Sequence, residues 1–125
     1  MRRKKKLLLI EDKEDLCTLL KLNIEDSGRY KVIIATDGED GLKKAKEIKP
    51  HLIILDLGLP KLSGEEVCKK VRADENIGKT PIIIATAKGS EADRIVGKVI
   101  GANSYISKPF EIYELLEEVD KLLEK

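Results

Sequence analysis

The 125-residue sequence predicts a single doubly wound α/β domain spanning residues 1–125, and three observations carry that expectation. Five short runs rich in Ile, Leu and Val alternate with segments of helical periodicity. The central runs are apolar at consecutive positions, the pattern of strands covered by helices on both faces. Turn signals fall between them: "DG" at Asp37, "KP" before His51, "LSG" at Leu62 to Gly64, "GKTP" before the fourth run and "KP" at Lys108.

Taken in order, the first strand is "KLLLIE", followed by a helix whose stripe is Leu16, Leu19, Leu20 and Ile24. The second strand, "YKVIIAT", precedes a weaker stripe of Leu42, Ala45 and Ile48. "HLIILD" is the third strand, with Val67, Cys68 and Val71 marking its helix. "PIIIAT" is the fourth, followed by Ala92, Ile95, Val96, Val99 and Ile100. "SYIS" is the last, before the clearest stripe of all: Ile112, Leu115, Leu116, Val119, Leu122 and Leu123. Strict alternation implies βαβ units with right-handed crossovers, hence a parallel sheet between two helical layers. Five strands suit the order 2-1-3-4-5, a flavodoxin-like (βα)5 three-layer sandwich.

Composition narrows the function. Charged residues make up 38% and hydrophobic ones 42% of the chain, and no apolar run approaches the ~18 residues of a membrane span. "MRRKKK" resembles the start of a signal peptide, but the "LLLI" after it is too short for the apolar region and runs into "ED". A cytoplasmic location and no membrane partner are expected. A net charge of +1 provides no field to recruit nucleic acid, and the basic run Arg2 to Lys6 has no interleaved aromatic residue, so it reads as a solvated lead-in. Cys17 and Cys68 have neither metal-ligand spacing nor a CxxC pair, and are expected as reduced, partly buried thiols.

One carboxylate interrupts the apolar run of "HLIILDLGLP". Asp56 must either emerge from the core at the strand end or have its charge compensated. Other strand ends are polar too: Glu11 and Asp12 after the first, Thr86 at the fourth, Lys108 after the fifth. In a parallel sheet all these ends share one edge, where ligands bind at the switch in strand order. Singly each has a plain explanation; Asp12 could cap a helix and Lys108 could be a solvated lysine. Together, three carboxylates repel by roughly 4 kcal/mol per pair at 4 Å and an effective dielectric near 20, unless a cation joins them. Oxygen ligands without His or Cys select a hard ion, and an open, hydrated site suits Mg²⁺. A carboxylate beside that ion can act as nucleophile towards phosphorus while a lysine neutralises the phosphoryl oxygens. Asp56, held at a rigid central strand end, fits that role. His51, the only histidine, falls at the opposite edge and is no candidate for a phosphohistidine relay.

Over essentially its whole length the chain resembles the receiver domain of two-component response regulators, with chemotaxis-regulator-like organisation. The resemblance rests on "LLIED", on "LIILDLGLP" followed by "SG", on "IIIATA" and on "GANSYISKPF", in that order. It implies that Asp56 is the phosphoacceptor, receiving a phosphoryl group from a histidine of a sensor kinase or phosphotransfer protein. Asp12, Asp56 and the backbone carbonyl of Gly58 would hold Mg²⁺, with Glu11 acting through water. Thr86, Ala87 and Lys108 would bind the phosphoryl group, and Lys108 would precede a cis bond to Pro109. Thr86 would move to the phosphate and Tyr105 would turn inward, altering the face made of the fourth helix, fifth strand and fifth helix. Such a domain is a signalling switch rather than an enzyme, with at most self-phosphorylation and self-dephosphorylation of its own.

Gly58 and Lys88 stand at two positions that flank the phosphate in the family and influence its lifetime. The last helix lacks the arginines that one DNA-binding subfamily uses to dimerise. A binding-only pseudo-receiver is the main alternative. A Mg²⁺-dependent aspartyl-phosphate phosphatase of the haloacid dehalogenase type would need Asp two residues after Asp56, where Gly58 stands, and a flavodoxin would need a phosphate loop after the first strand. The output is expected to be a downstream target protein or a missing output domain, with no direct nucleic-acid contact. Because "LLEK" ends the last helix without a linker, a stand-alone or phosphorelay-type regulator is the expectation.

Overall fold

The computed structural model describes residues 3–124. Its elements are β1 (Lys5–Ile10), α1 (Glu14–Glu25), β2 (Tyr30–Ala35), α2 (Gly38–Ile48), β3 (Leu52–Leu55), α3 (Gly64–Ala73), β4 (Ile82–Thr86), α4 (Glu91–Val99), β5 (Ser104–Ser107) and α5 (Ile112–Leu123). All five strands are parallel, in the order β2-β1-β3-β4-β5. This is the doubly wound arrangement that the alternation of patterns predicts.

The continuous apolar runs are explained by a sheet buried on both faces. Leu7, Leu9, Leu52, Ile54 and Ile83 point to one side, where Cys17, Leu20 and Ile24 of α1 and Leu115 and Val119 of α5 cover them. Leu8, Ile10, Ile53, Leu55, Ile82 and Ile84 point to the other, against Ala45 of α2 and Val67, Cys68 and Val71 of α3. Each fully buried aliphatic side chain contributes about 1.5–3 kcal/mol, so both layers are held mainly by this strand alternation.

Local signals place the helices. Asp37 accepts from the Asp40 N–H (2.7 Å) at the start of α2, and Ser63 Oγ accepts from the Glu66 N–H (3.2 Å) at the start of α3. Ser90 and Asp93 form a reciprocal capping box on α4. Gly64 lets α3 touch the chain leaving β3, because a Cβ there would lie 2.2 Å from the Asp56 carbonyl oxygen.

The outer edge of β2 is closed by side chains. The Val32 N–H donates to Glu25 Oε2 (2.8 Å), while Lys21 Nζ donates to the Val32 carbonyl (2.7 Å) and Lys44 Nζ to the Ile34 carbonyl (2.8 Å). Those groups would otherwise offer a template for another strand. At the foot of the sheet, Arg29 and Tyr30 bind Asp120 of α5.

Two helical stripes are less buried than their spacing suggests. In α1, Leu19 lies outside the core. In α4, Ile95, Val96 and Val99 are 56%, 47% and 80% exposed, and only Gly97 is buried. The cause is β5, a short strand with no fully buried residue. The ring of Tyr105 occupies the space between strand and helix, and α4 rests on it through Gly97.

Candidate functional site

The strand register sets the level of the site. Leu55 pairs with both Ile10 and Ile84, so the residues that follow β1 and β3, Glu11 and Asp56, leave the sheet side by side. The Asp56 N–H donates to the Ile10 carbonyl (3.1 Å), and the Lys108 N–H to the Thr86 carbonyl (2.8 Å). Among the described residues, Glu11, Asp56 and Thr86 are the buried polar or charged side chains, at 2%, 7% and 2% exposure. Asp12, next along the chain, is exposed.

One carboxylate oxygen from each of Glu11, Asp12 and Asp56 lies within 4.8 Å of the others. Lys108 reaches into this group, its Nζ 2.6 Å from Glu11 Oε1 and 3.3 Å from Asp56 Oδ2. Burial pulls the Lys108 ammonium down, but the hydrogen bond it donates to Glu11 and the charges of Asp56 and Glu11 outweigh it, and the net shift is upward. The lysine is therefore a fixed cation. Three carboxylates against one ammonium leave two negative charges, and the donors are all oxygen, so the group suits one hard divalent ion.

The surroundings hold this cluster in place. Asp56 Oδ1 accepts from the Gly58 N–H (3.3 Å), and Glu11 Oε2 from the Lys13 N–H (3.1 Å). Gly58 itself is exposed, with no atom near the position a Cβ would take. Beneath the cluster, Cys17 Sγ donates to the Glu11 carbonyl (3.2 Å). Burial, then the charges of Glu11 and Asp12, push that thiol up to about 11, so Cys17 serves as a neutral donor. The Lys108–Pro109 peptide is cis, as expected for this turn.

Thr86 and Tyr105 meet at Lys88. The Lys88 N–H donates to Thr86 Oγ1 (3.4 Å), and the Tyr105 hydroxyl donates to the Lys88 carbonyl. The Tyr105 ring already lies inward, against Gly97, with the Arg94 guanidinium 5.4 Å from its centroid. Ala87 lies exposed between Thr86 and Lys88. His51 is at the opposite end of the sheet, its Nδ1 accepting from the Lys6 N–H (2.9 Å).

A model of the response regulator receiver domain matches residues 7–120. The chain belongs to that family. This receiver domain is 46% identical over 121 residues to the alkaline phosphatase synthesis transcriptional regulatory protein PhoP of Bacillus subtilis, covering 97% of this chain and 49% of PhoP. It is 41% identical to response regulator ArlR of Staphylococcus saprophyticus, covering 96% of this chain and 53% of that protein. The chain thus spans about half the length of these curated relatives. A response regulator structure from Chloroflexus aurantiacus superposes with a TM-score of 0.92 at 33% identity, covering 98% of this chain and all (100%) of that one. The receiver domain of sensor histidine kinase PA1611 from Pseudomonas aeruginosa, solved with a magnesium ion in its active-site cleft, gives 0.87 at 29% identity, covering 98% and 100%.

Glu11, Asp12, Asp56, Thr86 and Lys108 lie at this edge of the receiver domain, and Tyr105, within β5, reaches toward it through its hydroxyl at Lys88. Three participants were not marked by their sequence positions. Cys17 supports Glu11 from below, Gly97 admits the Tyr105 ring, and Glu65 pairs with Lys88 (3.6 Å). Each acts through a contact between elements, which no motif or period records.

Proposed function

We propose that this receiver domain, residues 1–125, is a cytoplasmic phosphorylation switch in which Asp56 accepts a phosphoryl group from a phosphohistidine of a sensor kinase or phosphotransfer protein. The observation that carries this reading is the buried Asp56 carboxylate at a central strand end, sharing Lys108 with Glu11. An Asp56 oxygen attacks phosphorus, the donor's P–N bond breaks, and the imidazole leaves with the electron pair and is protonated from solvent. Lys108 neutralises the oxygens of the transferred group, an electrostatic term effective in a partly buried site. Asp12, Asp56 and the Gly58 carbonyl would hold Mg²⁺, with Glu11 acting through water, and the ion would supply further charge neutralisation. The magnesium-containing cleft of the similar Pseudomonas domain supports that assignment.

Thr86 then turns its hydroxyl from the Lys88 N–H to the new phosphate, and Tyr105 is coupled to the loop that moves through its hydrogen bond to the Lys88 carbonyl. This converts a local charge change into a changed α4–β5–α5 face, read by a target protein or an output domain. The test is intact mass after incubation with acetyl phosphate, with and without Mg²⁺. A labile gain of one phosphoryl group in the wild type, absent without Mg²⁺ and absent in Asp56→Ala, is the expected outcome. A gain that persists in Asp56→Ala would refute the assignment.

A further inference from the structure

The first turn of α3 cannot drift from the phosphoacceptor. Gly64 packs on the Asp56 carbonyl, and the next residue, Glu65, is set at the rim of the site. From the other side the β4–α4 loop brings Lys88, whose Nζ lies 3.6 Å from Glu65 Oε2. The Lys88 carbonyl is held by the Tyr105 hydroxyl, a contact that does not depend on where the Thr86 hydroxyl points. Its side chain is directed by the ion pair with Glu65. Two residues after Asp56, Gly58 is exposed and adds no side chain to the site.

We propose that Glu65 is a positioning residue for the phosphoryl group on Asp56, holding Lys88 across the mouth of the site so that the pair obstructs the water that hydrolyses the aspartyl-phosphate. The inference rests on the phosphoacceptor reading. The resemblance already gives position 88 influence over phosphate lifetime; the structure adds the residue that aims it. In the hydrolysis concerned, water oxygen bonds to phosphorus, the bond from phosphorus to the Asp56 oxygen breaks, and inorganic phosphate leaves with the water's protons shared between it and solvent. Such a water must approach opposite the breaking bond, from the open side of the site. The Lys88 side chain is 52% and that of Glu65 28% exposed, so the strut is modest in strength, within the ~1 kcal/mol ceiling of surface pairs.

The experiment loads the protein with acetyl phosphate or phosphoramidate and Mg²⁺, removes the donor, and follows loss of the phosphoryl group by intact mass. Glu65→Ala, Glu65→Gln and Lys88→Ala are each expected to shorten the half-life by up to about fivefold, the rate equivalent of ~1 kcal/mol. The double variant Glu65→Ala/Lys88→Ala should be no faster than either single one, and the exchanged pair Glu65→Lys/Lys88→Glu should recover most of the lifetime. Unchanged melting temperatures would accompany these effects. An unchanged or longer half-life in Glu65→Ala, single effects that multiply in the double variant, or failure of Glu65→Ala to load at all overturns the inference. No loading of the wild type by either donor instead overturns the phosphoacceptor reading beneath it.

Discussion

A single hydrogen at position 97 decides where Tyr105 sits. Glycine in mid-helix costs about 1 kcal/mol relative to alanine, so α4 forms here against its local preference. The structure shows the return: a Cβ on residue 97 would lie 2.7 Å from Tyr105 Cδ2, inside any permitted contact. The ring rests on the helix because that atom is missing, and its hydroxyl can then reach the Lys88 carbonyl. Gly97→Ala is accordingly expected to leave stability within about 1 kcal/mol of the wild type, the gain in helix propensity offsetting the lost contact. It should also turn Tyr105 outward. Nuclear Overhauser contacts between the Tyr105 ring and α4 report this directly; their persistence in the variant would show that backbone movement, not the side chain, absorbs the methyl group.

At the scale of elements, β2 depends on groups outside its own ladder. The Val32 backbone hydrogen bond pulls the Glu25 carboxyl below its usual range, burial opposes it, and the neighbouring Lys21 adds to the downward shift. A depressed carboxyl contributes stability that is present above its unfolded value of 4.5 and is lost as pH falls through the lower folded value. The stability difference between the wild type and Glu25→Gln, measured by urea unfolding, should thus be constant above about pH 5 and shrink below it. A difference independent of pH would mean that the carboxylate's charge is irrelevant to the edge. The same scale shows what periodicity can and cannot record. Strands β1, β3 and β4 were legible because burial on both faces leaves runs such as Leu52 to Leu55 with no polar interruption. The stripe of α4 was legible as a helix, but Ile95 and Val99 face outward because coverage depends on a neighbour, and β5 is too short to supply it.

The whole molecule concentrates charge that its composition hides. A net charge of +1 says nothing of three carboxylates gathered at one sheet edge. Their positions were legible because a parallel sheet brings all strand ends to one side, so Glu11, Asp12, Asp56, Thr86 and Lys108 could be assembled from topology alone. Glu65 and Cys17 were not, since each reaches the site from a helix surface whose angle the sequence does not specify. The crowding has a consequence for stability. Lys108 offsets one of the three charges and retains Glu11 at 2.6 Å even if Asp56 is removed. Asp56→Ala without divalent ions should therefore melt at or slightly above the wild-type temperature, as one repelling group is lost. Mg²⁺ that binds only the folded chain stabilises it by RT ln(1 + [Mg²⁺]/Kd), about 1.4 kcal/mol at ten times Kd, or about 5 °C in a domain of this size. The wild type should show that rise in a thermal scan and lose it on chelation with EDTA, while Asp56→Ala, lacking one of the proposed ligands, should show little at the same ion concentration. If the two proteins rise equally, the ion is not held by Asp56, and the charge at this edge is balanced by Lys108 and solvent instead.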